Sequence, residues 1–384
     1  MPKRGFALEG GGARGAYHMG VCKAYMEKGY QFDGFVGTSI GAINAAMLAS
    51  GEFDKALELW ENIELDYLFD QEFLDALKLD KNAPTNLTTA LKKIVTDRGV
   101  DHSKIKKFLS SYIVEEKVRA SGLDFGLVTF SLNERKPYEI FLKDIPEGKL
   151  VDYILASAKL PFLTPHTIDE VRFIDGGVYN SCPINMLINQ KYDEIIAVRT
   201  KGFGLFRRYD KNANVTLIET NENLGSFLSF APGNSKLNIK RGYCDALKIL
   251  DNLAGENYYL KDVDLAPLTQ KLLTLEENNL KTLSHFQNTP LDKRRVLLEQ
   301  IVPEIADFLD LDKSFSYETL ILAMLEFVAS KKEIDRLDVY LFDDFLKLVK
   351  KKRVVASESL LSKVGIDFIE KKTHLIVDLV DLLL

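Results

Sequence analysis

Short apolar runs alternate with stretches of helical periodicity through the first half of the chain. Phe6-Ala7-Leu8 is too short for a helix and ends at Glu9 and a glycine cluster, which predicts a buried strand. From Ala16 to Lys28 the apolar residues Tyr17, Val21, Ala24 and Tyr25 share one helical face, and Gly29 closes that helix. Phe32 to Val36 predicts a second strand, and Ile43 to Leu48 is again helical in composition. Two strand–helix units in so short a span imply a parallel sheet of α/β type. The pattern from about Phe53 to Leu123 is mostly helical. Its stripe of Phe53, Ala56, Leu57, Trp60 and Ile63 suits core packing, with a mobile cap over a site as the other use. The sheet resumes at Phe125–Phe130, with Tyr138–Leu142 as its hairpin partner. A short helix is expected over Val151–Ala158, stopped by Pro161, and a strand end at Phe173-Ile174. Further strands are expected at Glu194–Val198 and Val215–Ile218, and a closing helix at Lys236–Leu253. Beyond Gly255 glycine nearly vanishes, and Leu, Lys, Glu and Asp dominate. That shift predicts a first domain over 1–255 and a separate all-helical region over 256–384, broken near Pro290 and Pro303.

Composition narrows the function classes. A chain of 384 residues favours two or three domains over one. Its net charge of -6 provides no basic field for nucleic acid, and 46% hydrophobic residues suffice for a sizeable core. Cys22, Cys182 and Cys244 are too few and too scattered for a disulfide framework or a zinc site and fit a reducing compartment; no metal or cofactor is expected. The opening Met1-Pro2-Lys3-Arg4 leads straight into Phe6-Ala7-Leu8, which is neither a secretory segment nor a span. Leu375–Leu382 is apolar but carries Asp378 and Asp381. The expectation is a cytoplasmic protein whose membrane contact, if any, is peripheral. One dense basic run, Lys347–Arg353, has a plain use as a solvated helix end and another as a patch for anionic head groups.

The candidate chemistry lies in three glycine-flanked stretches. Gly37-Thr38-Ser39-Ile40-Gly41 sits between a strand and a helix, the context in which Gly-x-Ser-x-Gly forms a nucleophile elbow. A serine on so sharp a turn needs neighbours without Cβ atoms, which Gly37 and Gly41 provide. Its plain alternative is a helix-capping serine. Gly10-Gly11-Gly12-Ala13-Arg14-Gly15 also joins a strand to a helix, so its N–H groups suit an anion. The spacing fits a dinucleotide fingerprint, yet that motif wants an acidic residue at the end of the second strand, where this chain has Thr38-Ser39. An oxyanion hole is the better use beside an elbow serine. His18, His102, His166, His285 and His374 lie in no catalytic context. Asp175, after a strand and before Gly176-Gly177, is the stronger base candidate, although an unperturbed carboxylate is a weak base and needs burial to serve.

Taken together, these stretches resemble the patatin-like phospholipase family. Three blocks match in order: Gly10–Gly15, Gly37–Gly41 and Asp175-Gly176-Gly177. Softer likenesses are Ala156-Ser157-Ala158-Lys159-Leu160-Pro161-Phe162, Asn180-Ser181-Cys182-Pro183 and Gly242-Tyr243 with Asp245. The resemblance covers about residues 4–255. It implies a three-layer α/β/α fold and hydrolysis of phospholipid or other acyl esters by a Ser39–Asp175 dyad without histidine. It also implies an oxyanion hole drawn from Gly10, Gly11, Gly12, Arg14 and Gly15. Two alternatives stand beside it: a nucleotide-binding protein using the Gly10–Gly15 loop, and an interaction protein acting through its helical tail.

Overall fold

The computed structural model describes residues 2–68, 103–159, 165–280, 292–353 and 363–384. Two units divide the chain, Met1–Ala246 and Leu247–Leu384. The first is built on one eight-stranded sheet. Its strands are β1 (Arg4–Leu8), β2 (Gly34–Thr38), β3 (Asp124–Ser131), β4 (Lys136–Phe141), β5 (His166–Ile168), β6 (Val171–Asp175), β7 (Glu194–Arg199) and β8 (Val215–Glu219). The order is β5-β6-β3-β2-β1-β7-β8, with β4 on the other edge of β3.

The central strands β1, β2, β3, β7 and β8 run parallel. β1 and β2, at the middle of the sheet, are buried on both faces, which is why β1 reads as an unbroken apolar run rather than an alternating one. On one face Phe6 meets Phe35 and Tyr25, the latter from helix α1 (Ala16–Glu27), with ring centroids 6.1 and 5.7 Å from that of Phe6. On the other, Ala7, Val36 and Val128 pack with Ile184, Met186 and Leu187 of the helix Ile184–Asn189. Helices on both faces of a mainly parallel sheet give the three layers expected.

The register around β3 positions the site. Along one edge, residues 124–128 of β3 pair in parallel with β2, ending at Thr38↔Val128. On the same edge, β6 enters from the opposite direction and pairs antiparallel, beginning at Thr129↔Asp175. The other edge is occupied by β4. Hence β2 and β6 abut end to end, and the residues at their meeting ends, Thr38-Ser39 and Asp175, become neighbours. β5 was not expected from the sequence, because three residues after Pro165 carry too short a pattern to be distinguished from a loop. Pro161, Phe162, His102, His285, Pro290 and the helical pattern of residues 69–102 fall outside the described residues.

In the second unit the regular elements among the described residues are helices, joined by turns, and two three-residue strands, β9 (Tyr259–Lys261) and β10 (Val339–Leu341), which pair in parallel. Its core gathers Leu320, Met324, Phe345, Ile376 and Leu379 from three helices, Tyr317–Lys331, Phe342–Lys351 and Lys363–Leu383. The basic run falls at the end of Phe342–Lys351. There Lys350 Nζ donates to Leu384 O at 2.7 Å, and Lys352 Nζ to Glu333 O at 3.0 Å. Among the described residues, no helix is long and apolar enough to cross a membrane.

Candidate active site

Ser39 stands between β2 and helix α2 (Ile40–Ala49), with φ 58° and ψ -126°. That conformation costs a non-glycine residue about 1–3 kcal/mol and persists only where its surroundings enforce it. Here they do. A Cβ on Gly37 would lie 2.1 Å from the Gly41 carbonyl carbon, and one on Gly41 would lie 2.2 Å from Leu8 O, so the turn closes only with glycine at both positions. The Ser39 N–H donates to Ser157 Oγ at 2.9 Å, and that hydroxyl donates to Val128 O at 2.6 Å. Thr38 Oγ1 donates to Asn180 O at 2.8 Å. The Ser39 side chain makes no capping bond to α2, which leaves its hydroxyl free for chemistry and disposes of the capping role.

Asp175 ends β6, and its N–H donates to Lys159 O at 2.5 Å. Its Oδ1 accepts the Gly177 N–H at 2.7 Å, while Oδ2 is buried without a hydrogen-bond partner. Gly176 O accepts the N–H groups of Tyr179 and Asn180, both at 2.9 Å, which holds the turn. Burial pushes the Asp175 carboxyl up to about 6, against smaller lowering effects from the Ser39 hydroxyl and the Gly177 N–H. The Ser39 hydroxyl is thus near enough to the carboxyl to favour its ionised form.

The glycine loop lies directly against the serine: a Cβ on Gly10 would sit 3.2 Å from Ser39 Cβ. Within it the N–H groups are divided between structure and free donors. Gly10 N–H donates to Ser181 O, Ala13 N–H to Phe227 O and Arg14 N–H to Gly11 O. The N–H groups of Gly11 and Gly12 make no hydrogen bond among the described residues, nor do those of Ile40 and Gly41 at the start of α2. The Arg14 guanidinium is spent on carbonyls, donating to Gly225 O at 2.8 Å and to Lys201 O at 2.7 Å.

Two supports of this loop went unnoticed in the sequence. Glu9, 1% exposed, accepts from the N–H groups of Thr200 and Lys201 at 2.8 and 2.9 Å and from Ser181 Oγ at 3.1 Å. Asn44, one turn beyond Ser39 on α2, donates to Gly15 O at 3.0 Å and accepts from Trp60 Nε1 at 2.9 Å. It also lies 3.1 Å from His18 Nδ1. Burial holds His18 down to about 3, so the ring is neutral and structural. His166 Nε2 lies 3.3 Å from Asp152 Oδ1, and burial lowers its pKa despite that carboxylate. His374, in the second unit, is exposed. Beside α2, Ile43, Leu109, Leu155, Lys159 and His166 line an apolar hollow of about 50 Å³. No group of three or more metal-ligating side chains occurs among the described residues.

The family model for patatin-like phospholipases matches residues 6–188. An uncharacterized protein of Acanthamoeba polyphaga mimivirus is 28% identical, with 48% of this chain and 63% of that protein aligned. A probable lipid hydrolase of invertebrate iridescent virus 6 is 25% identical over 56% of this chain and 77% of that one. Among solved structures, VipD from Legionella pneumophila aligns over 99% of this chain and 90% of its own, at 15% identity and a TM-score of 0.41. The chain thus spans less than two thirds of the mimivirus protein's length.

Proposed function

Because residues 6–188 belong to the patatin-like phospholipase family, we propose that the chain is a serine acyl hydrolase acting on phospholipids or related fatty acyl esters through a Ser39–Asp175 dyad. The observation that carries this reading is the abutment of β2 and β6. It brings a strained, uncapped serine to a buried carboxylate whose Oδ2 lacks a partner.

Ser39 Oγ attacks the ester carbonyl carbon as its proton passes to Asp175. The N–H groups of Gly11, Gly12 and Ile40 hold the oxyanion, and each such donor is worth about 3–4 kcal/mol in other hydrolases. As the C–O bond to the alcohol breaks, Asp175 returns the proton to the departing oxygen. A water molecule, deprotonated by the same carboxylate, then attacks the acyl-serine and releases the fatty acid. A carboxyl near 6 suits both duties, being ionised at neutral pH yet more basic than a solvated aspartate. Gly10, Arg14 and Gly15 serve the hole by shaping the loop, through the bonds to Ser181, Lys201 and Asn44. The test is covalent labelling: a fluorophosphonate should modify Ser39 in the parent chain and nothing in a Ser39→Ala variant.

A further inference from the structure

The two most exposed large apolar side chains among the described residues stand two positions apart in one loop. Phe203 is 77% exposed and Leu205 62%. Scattered single apolar residues on a surface need no explanation, but two on one tethered loop do.

The loop follows β7 and is fastened to both halves of the active site. Thr200 Oγ1 donates to Gly10 O at 2.7 Å, and Arg14 donates to Lys201 O at 2.7 Å, which ties it to the glycine loop. Four residues on, the Leu205 N–H donates to Gly177 O at 2.8 Å, and Leu205 O accepts from the Ser181 N–H at 2.7 Å, which ties it to the aspartate turn. The backbone is thus held on either side of Phe203, and both side chains stand out from the rim of the site.

Charge follows at once. Arg207, Arg208 and Lys211 are exposed and form no ion pair among the described residues, and Arg207 lies 4.3 Å over the Tyr179 ring. Lys201 is exposed as well, 3.0 Å from Asn221 Oδ1 and 4.0 Å from Glu219 Oε1. The single acid within the segment, Asp210, accepts from Asn212. Apolar tips followed by three cations without an ion pair among the described residues match a membrane interface, where the tips enter the acyl boundary and the cations meet anionic head groups.

We propose that residues 201–211 dock the rim of the active site onto an anionic phospholipid surface. The proposal rests on the lipid-hydrolase reading above, since a bilayer-held ester is what such docking would deliver. The loop, rather than the basic run at Lys347–Arg353, is then the membrane contact.

Sedimentation of the full chain with phosphatidylcholine vesicles, with or without phosphatidylserine, tests it. Phe203→Ser with Leu205→Ser should weaken binding about tenfold per side chain while leaving its salt dependence intact. Arg207→Gln, Arg208→Gln and Lys211→Gln together should weaken binding to the phosphatidylserine vesicles about fivefold per charge and flatten the salt dependence. Hydrolysis of a short soluble ester and the unfolding transition seen by Trp60 fluorescence should not change in either variant. Parental vesicle binding by both variants overturns the proposal. So does a loop variant whose only effect is to dissociate a dimer of the chain in velocity sedimentation. A parent chain that binds vesicles through this loop yet hydrolyses no soluble ester supports the docking and refutes the hydrolase reading.

Discussion

Replacing Asp175 with asparagine should stabilise the protein at neutral pH while ending hydrolysis. The side chain is 5% exposed, and burial raises its pKa from an ordinary 3.8 to about 6. A raised folded-state pKa means that the folded chain holds the proton more tightly than the unfolded chain does. Stability is therefore lost as pH climbs from the unfolded value through the folded one, and the cost is constant above it. With 1.36 kcal/mol per pKa unit, the ionised carboxylate costs the fold about 3 kcal/mol at about pH 7.5 and about 1 kcal/mol at about pH 4.5. Asparagine keeps the shape and can accept the Gly177 N–H, and its amide can donate toward Ser39 Oγ. It carries no charge to desolvate. Trp60, the chain's single tryptophan, lies buried in the same unit and reports urea unfolding there. The asparagine variant should gain about 2–3 kcal/mol at about pH 7.5 and no more than about 1 kcal/mol at about pH 4.5. A variant less stable than the parent at neutral pH, or equally stabilised at both, would show that Asp175 is not held ionised against its surroundings.

Two further outcomes follow from the same geometry. Ser157→Ala leaves the Ser39 N–H without its acceptor, so stability should fall by about 1–3 kcal/mol and kcat should fall with little change in KM; a variant with parental kcat refutes that role in holding the elbow. The kcat/KM for a soluble ester should rise with pH, be half-maximal near the Asp175 value of about 6 and stay level above it. A profile flat from about pH 4 upward would mean that another group takes the proton.

Ser39 and Asp175 could be picked out of the sequence as candidates because the turn that holds each depends on its immediate neighbours. Gly37 and Gly41 are needed within two residues of Ser39, and Asp175 takes its Gly177 N–H two residues on. What brings the two together could not be seen. The junction of β2 with β6 along β3 joins residues 136 positions apart, and no local pattern encodes an antiparallel strand entering a parallel edge. The partners that fix the loops are equally distant. Ser157 lies 118 residues from Ser39, and Thr200 lies 191 from Glu9. β5, β9 and β10 escaped because three residues cannot display a period. The apolar stripe near Trp60 gave a packing role correctly, with Ala56, Trp60 and Ile63 buried, but not the indole's bond to Asn44.

The central claim is that Ser39 is the nucleophile, and the most direct test is to map where a fluorophosphonate reacts with the intact chain. One modified peptide is expected, the one containing Gly37-Thr38-Ser39-Ile40-Gly41, with ester hydrolysis lost in proportion to its labelling. Stoichiometric labelling at a different serine, or hydrolysis that survives complete modification of Ser39, would contradict it.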